Sequence, residues 1–88
     1  MISQKVIVQN EKGIHLRTAG SFCEEALKFK AHIDLRCNNK TLNGKSVLGV
    51  LGASVKYHDT IEIICDGVDE EKALEHLVLL VQNKLGEK

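Results

Sequence analysis

The chain contains no proline and no tryptophan, and only one tyrosine and two phenylalanines among its 88 residues. With so few aromatic rings it cannot offer the stacking platform on which single-stranded nucleic acids are bound. It has no net charge either, since 12 basic side chains offset 12 acidic ones, which argues against binding driven by phosphate neutralisation. Long hydrophobic runs are missing: stretches such as Leu77 to Val81 are far too short to cross a bilayer, so no membrane insertion is expected. Without proline, repeats or low-complexity segments, nothing divides the chain, and a polypeptide of this size buries roughly 60–65% of its extended surface around one core. A single domain over residues 1–88 is expected.

Cysteine is scarce and unpaired in pattern. Cys23, Cys37 and Cys65 are odd in number and widely spaced, with no CxxC pair, so neither a metal site nor thioredoxin-like chemistry is expected. Each falls on an apolar position of its element and reads as a buried free thiol in a reducing compartment. The opening Met1-Ile2-Ser3-Gln4-Lys5 lacks signal-peptide architecture, and a cytoplasmic protein is expected.

What the sequence does have is Gly13-Ile14-His15-Leu16-Arg17-Thr18-Ala19-Gly20. Here a histidine stands where a strand-like segment gives way to an amphipathic helix, with an arginine two residues on. The first turn of a helix carries free N–H groups and a positive dipole end, both suited to anions. An imidazole there is a candidate nucleophile whose phosphorylated form would meet N–H donors and a guanidinium together. A plain surface histidine at a helix start is the alternative, so the octapeptide alone does not decide. His32, His58 and His76 form no ligand pattern and read as solvated surface.

The periodicity places seven elements. Ile2 to Gln9 is a strand, closed by Asn10-Glu11-Lys12-Gly13. A helix follows from Leu16 to Lys28, with Ala19, Phe22, Cys23, Ala26 and Phe29 on one buried face. Ala31 to Cys37 alternates apolar and polar without a break, Asn38-Asn39 is a tight turn, and Lys40 to Leu42 returns. Ser46 is placed to cap a short helix over Val47 to Gly52, whose two glycines weaken the helical signal. Thr60 to Cys65 forms the last strand. Asp69-Glu70-Glu71 then opens a terminal helix whose apolar stripe runs through Ala73, Leu74, Leu77, Val78, Val81 and Leu85. Alternating strands and one-faced helices imply an antiparallel α+β sandwich in two layers.

Three stretches in this order resemble the HPr family of histidine-containing phosphocarriers of the bacterial phosphoenolpyruvate-dependent sugar phosphotransferase system (PTS). They are Gly13 to Ala19, Gly44-Lys45-Ser46-Val47-Leu48-Gly49-Val50-Leu51, and Asp59-Thr60-Ile61-Glu62-Ile63 with Gly67 beyond. The resemblance implies an HPr-like open-faced sandwich, a four-stranded antiparallel sheet with three helices on one face. It implies that His15 takes a phosphoryl group at Nδ1 from phosphorylated enzyme I and donates it to enzyme IIA domains, with Arg17 balancing its charge. Such a chain is a covalent carrier rather than a free-standing turnover enzyme, and no metal or organic cofactor is implied. The backbone of Leu16, Arg17 and Thr18 would contact the phosphoryl group. Ser46 matches a serine that an ATP-dependent kinase modifies in many members, so HPr kinase/phosphorylase and a transcription regulator join the partners implied. Leu16, Gly20, Val47, Leu48 and Leu51 would form the partner-binding patch, with Val50 turned inward and Leu48 and Leu51 partly outward.

The chain departs from the family pattern at Thr18, usually proline, and at Leu16, usually alanine. Ser54 and His58 stand where glycine is common, and Glu24 is acidic where some members carry a basic residue. These changes leave two further readings open: a regulatory paralogue serving a nitrogen-type relay or a transcription factor, and an interaction module without phosphotransfer. Retention of both His15 and Arg17 speaks against the latter.

Overall fold

The alternation of Ile33, Leu35 and Cys37 puts three apolar side chains on one side of a strand, and all three are buried in the computed structural model, which describes residues 1–87. That strand, β2 (His32–Cys37), lies in a four-stranded sheet with β1 (Ile2–Ile7), β3 (Lys40–Asn43) and β4 (Thr60–Asp66), in the order β1-β4-β2-β3. Every pairing is antiparallel. The helices α1 (Leu16–Ala26), α2 (Val47–Gly52) and α3 (Glu70–Gln82) form the second layer. This is the open-faced α+β sandwich that the resemblance implies.

Register carries the inward set across the sheet: Val6 faces Ile61, Leu35 faces Ile63 and Ile33 faces Cys65. These pack with Ala19, Phe22 and Ala26 of α1 and Leu77 and Val81 of α3 into one core. Burying each aliphatic or aromatic side chain of this kind contributes roughly 1.5–3 kcal/mol. The other face is wet, and there Ser3 donates to Glu62 at 2.9 Å while Arg36 lies 3.7 Å from the same carboxylate. Asn38 and Asn39 both have positive φ, 54° and 66°, as a two-residue type I′ hairpin requires.

β1 ends at Ile7 rather than Gln9, Val8 continuing only through single backbone bonds to Asp59 and His58, and two helix ends also differ from the periodicity. α1 stops at Ala26, and Phe29 lies beyond it, partly buried, its ring 5.6 Å from that of His76. The following backbone is held from afar, because Asp69 accepts the N–H groups of Lys30 and Ala31, each at 2.8 Å. α3 stops at Gln82 rather than continuing through Leu85. Lys84 and Leu85 take positive φ, 57° and 55°, in a 3₁₀ turn spanning Lys84–Gly86, and Leu85 is still 2% exposed. Leu85 therefore belongs to the core but not to the helix, and the reversal carries Glu87 back towards the start of α1.

Candidate functional site

The position of His15 is set by the turn before it. Gly13 donates to the Asn10 carbonyl at 2.8 Å with φ of 66°, a conformation that side chains disfavour. A Cβ at this position would sit 2.2 Å from the Val55 carbonyl oxygen, so only glycine fits. Ile14 then donates to the same carbonyl at 3.1 Å, and its side chain is buried. Pinned in this way, His15 takes extended backbone (φ −119°, ψ −172°) and becomes the N-cap of α1.

Thr18 closes this first turn. Its hydroxyl accepts the His15 N–H at 2.9 Å and donates to the His15 carbonyl at 3.2 Å. The His15 ring and the Thr18 N–H stand in the places of a capping box, short of a formed hydrogen bond from that N–H to the ring.

The imidazole is 37% exposed, and its Nε2 lies 2.8 Å from Oε2 of Glu87. The other oxygen of that carboxylate accepts from Asn10 Nδ2 at 2.8 Å, and the same nitrogen donates to the Lys84 carbonyl, also at 2.8 Å. Both partners are acceptors, which fixes the orientation of the Asn10 amide. Asn10 is 1% exposed, and its Oδ1 is buried without a hydrogen-bond partner among the described residues. Donation from Asn10, and secondly from His15, holds the Glu87 carboxyl below the ordinary carboxylate range.

Arg17 is exposed and makes no ion pair among the described residues. It lines a cleft of about 710 Å³ in which Lys12 and Lys84 stand with the carboxylates of Glu11 and Glu87. An exposed guanidinium in the first turn of a helix whose cap is a half-exposed imidazole can receive an anion without first breaking an ion pair among the described residues. Of the other nucleophiles, the three thiols are buried; burial pushes Cys65 up to about 11 and raises Cys23 and Cys37 as well.

The remaining residues expected at the site fall on two adjoining helices. Leu16 is 69% exposed, and Gly20 is half-buried one turn along α1. α2 packs against α1 and presents Leu48, 82% exposed, with Val47 and Leu51 partly covered and Val50 buried. Ser46 caps α2, its Oγ accepting the Gly49 N–H at 3.1 Å. The structure therefore brings His15, Leu16, Arg17 and Thr18 together at one helix start. It sets Ser46 and the Leu48 patch on the neighbouring helix. Glu87 at the imidazole, and Asn10 behind it, are the two residues that sequence reasoning missed. Asn10 reads as a turn residue, and nothing in the pattern near Gly86 signals a carboxylate returning to residue 15. His32 and His76 are surface residues as expected, each against a carboxylate: Asp34 at 3.0 Å and Glu25 at 2.7 Å.

The chain is thus an antiparallel open-faced α+β sandwich with a half-exposed histidine capping its first helix, and comparison with known proteins gives its family. Residues 2–83 match the family described as PTS HPr component phosphorylation site. The chain is 34% identical to the HPr-like protein Crh of Bacillus subtilis, over 97% of this chain and 100% of that one. It is 31% identical to the phosphocarrier protein HPr of Neisseria meningitidis, over 99% and 98%. Among solved structures, HPr-C-His from Thermoanaerobacter tengcongensis superposes with a TM-score of 0.94 at 33% identity, covering 100% of this chain and 99% of that one. The chain belongs to the HPr family of phosphocarriers of the phosphotransferase system.

Proposed function

We propose that the chain, acting as one domain, carries a phosphoryl group on His15 between phosphorylated enzyme I and enzyme IIA domains during sugar uptake in the cytoplasm. The observation that carries this reading is the pairing of a half-exposed imidazole at the cap of α1 with an exposed Arg17, in the same first turn, that makes no ion pair among the described residues. The N–H groups of Leu16, Arg17 and Thr18 open the helix and have no intrahelical acceptor of their own, so a phosphoryl group on the ring finds donors already in place. The imidazole and Arg17 are both open to solvent, which suits a group that must leave again. Transfer then depends on in-line alignment of donor and acceptor histidines, with little covalent chemistry left to the protein. Leu16, Gly20, Val47, Leu48 and Leu51 supply the docking surface, with Leu16 and Leu48 its most exposed apolar side chains.

The test is intact mass after incubation with phosphoenolpyruvate and purified enzyme I, with His15→Ala alongside. One acid-labile phosphoryl group, absent from the variant, is the expected result. No addition to the folded wild-type chain would overturn the reading.

A regulatory role is the second reading, favoured by the likeness to the HPr-like protein Crh and by the position of Ser46. The Ser46 oxygen already points at the open N–H groups of α2, so a phosphate there would meet donors without refolding the helix and would add charge beside Leu48. Modification by HPr kinase/phosphorylase would in this reading weaken docking of acidic partner surfaces and favour a transcription regulator. Equal affinity of enzyme I for wild type and Ser46→Asp at low salt would count against it.

A further inference from the structure

We propose that Glu87, held by Asn10, is a positioning residue that keeps the proton of neutral His15 on Nε2 and so presents the Nδ1 lone pair at the start of α1. The proposal rests on the reading of His15 as the phosphoryl acceptor. Glu87 itself lies outside residues 2–83, the segment that matches the family.

A neutral imidazole has one N–H and one lone pair, and which nitrogen carries the proton is decided by what each nitrogen faces. Nε2 faces a carboxylate oxygen at 2.8 Å. An ionised carboxylate only accepts, so a proton on Nδ1 would set two lone pairs against each other at that distance. With the proton on Nε2 the contact is a charge-assisted hydrogen bond. No formed hydrogen bond engages Nδ1 among the described residues, although the ring stands in capping-box position over the Thr18 N–H, a donor that also calls for a ring lone pair, and Nδ1 remains the nitrogen available for attack.

Holding a carboxylate beyond the last helix in one place costs conformational freedom. Glu87 is placed by three independent anchors. Leu85, two residues earlier, is 2% exposed in the core. The Glu87 N–H donates to the Lys84 carbonyl at 2.9 Å. The amide of Asn10, itself 1% exposed, forks between that carbonyl and Glu87 Oε1. The imidazole, the carboxylate and the carboxamide therefore form a relay in which each member orients the next, the logic by which a buried carboxylate orients a catalytic histidine.

In the transfer step, the Nδ1 lone pair attacks the phosphorus of a donor phosphohistidine and a new N–P bond forms. The donor N–P bond breaks, and its electron pair returns to the donor ring. The Nε2 proton stays on His15, whose ring now carries positive charge facing the Glu87 carboxylate. Donation to the next acceptor is the reverse, and no proton need enter or leave through solvent.

The experiment uses the full chain and two variants, Glu87→Ala and Glu87→Gln, each first shown to be folded by its backbone amide spectrum. Long-range ¹H–¹⁵N correlations of the His15 ring are recorded at about pH 8, where histidine is ordinarily neutral. Wild type is expected to show the Nε2–H tautomer, Glu87→Ala a mixture, and Glu87→Gln a return to Nε2–H, because the glutamine carbonyl still accepts. The rate of phosphorylation by enzyme I should fall roughly tenfold in Glu87→Ala, the scale on which loss of a histidine's outer partner is felt, and recover in large part in Glu87→Gln. An Nδ1–H tautomer in wild type, or an unchanged tautomer population in Glu87→Ala, would overturn the proposal. The expected tautomers with no phosphoryl transfer to wild type would overturn the carrier reading instead.

Discussion

The hydroxyl of Thr18 holds the backbone of His15 from both ends, accepting its N–H at 2.9 Å and donating to its carbonyl at 3.2 Å. Proline, the usual residue here in the family, would fix φ and lack this hydroxyl; Thr18 instead holds the cap through a buried side chain, 1% exposed.

Thr18→Val keeps the shape and removes both bonds, leaving the part-buried His15 N–H without an acceptor. The expected loss is about 1 kcal/mol in urea unfolding. The His15 amide should exchange with solvent faster in Thr18→Val and stay protected in Thr18→Ser, which retains the hydroxyl. Equal protection in both variants would mean that the cap is held by something else.

Two glycines in the motif separate backbone necessity from mere smallness. At Gly13, positive φ and a Cβ only 2.2 Å from the Val55 carbonyl make Gly13→Ala strained twice over, at a cost of about 3 kcal/mol. At Gly20, in α1, no atom lies within 4 Å of an added Cβ, so Gly20→Ala should stabilise the chain by roughly 0.5–1 kcal/mol. Chemical denaturation of both checks the sign. Slower transfer from enzyme I in the more stable Gly20→Ala would place Gly20 at the docking surface.

Acid should loosen the α1–β2 connection before it reaches the core. Asp69 sits below the ordinary carboxylate range, chiefly because Lys30 donates its N–H to one oxygen, with Ala31 donating to the other. A depressed carboxylate contributes stability that is complete above its ordinary value, near pH 4, and that is lost as pH falls through the lower folded value. Asp69→Asn has one acceptor oxygen for two donors. Its stability should therefore fall less steeply than wild type below about pH 4. A parallel pH profile for the two proteins would rule out this clamp as a source of acid sensitivity.

Legibility in the sequence followed range. The alternation of β2, the buried stripe of α1, the Ser46 cap and the Asn38-Asn39 hairpin are set by neighbours within a few residues, and each was visible in the chain. Leu85 was visible as a core residue but misassigned to α3, because a stripe does not reveal that Lys84 and Leu85 reverse the backbone. The Asp69 clamp spans 38 and 39 residues, and the contact of Glu87 with His15 spans 72. Neither pair has a local pattern, since a carboxylate near a helix start or a chain end is equally at home in solvent. The same gap in range separates the two halves of the candidate site: the octapeptide is local, whereas its carboxylate partner arrives only through the tertiary fold.

The α2 surface offers a division between docking and folding within one turn. Leu48 is 82% exposed whereas Val50, two residues on, is fully buried. Leu48→Asp should leave stability within about 0.5 kcal/mol of wild type, because no packing is lost. Val50→Ala should cost about 2 kcal/mol through the cavity it leaves. In phosphoryl transfer from enzyme I the order should reverse. Removing an apolar anchor from a docking patch is worth about 1 kcal/mol, so KM should rise roughly fivefold for Leu48→Asp with kcat little changed. For Val50→Ala, measured well below its unfolding transition, both constants should stay near wild type. Unchanged KM in Leu48→Asp would move the partner surface off α2 and leave Leu16 and Gly20 of α1 to carry it.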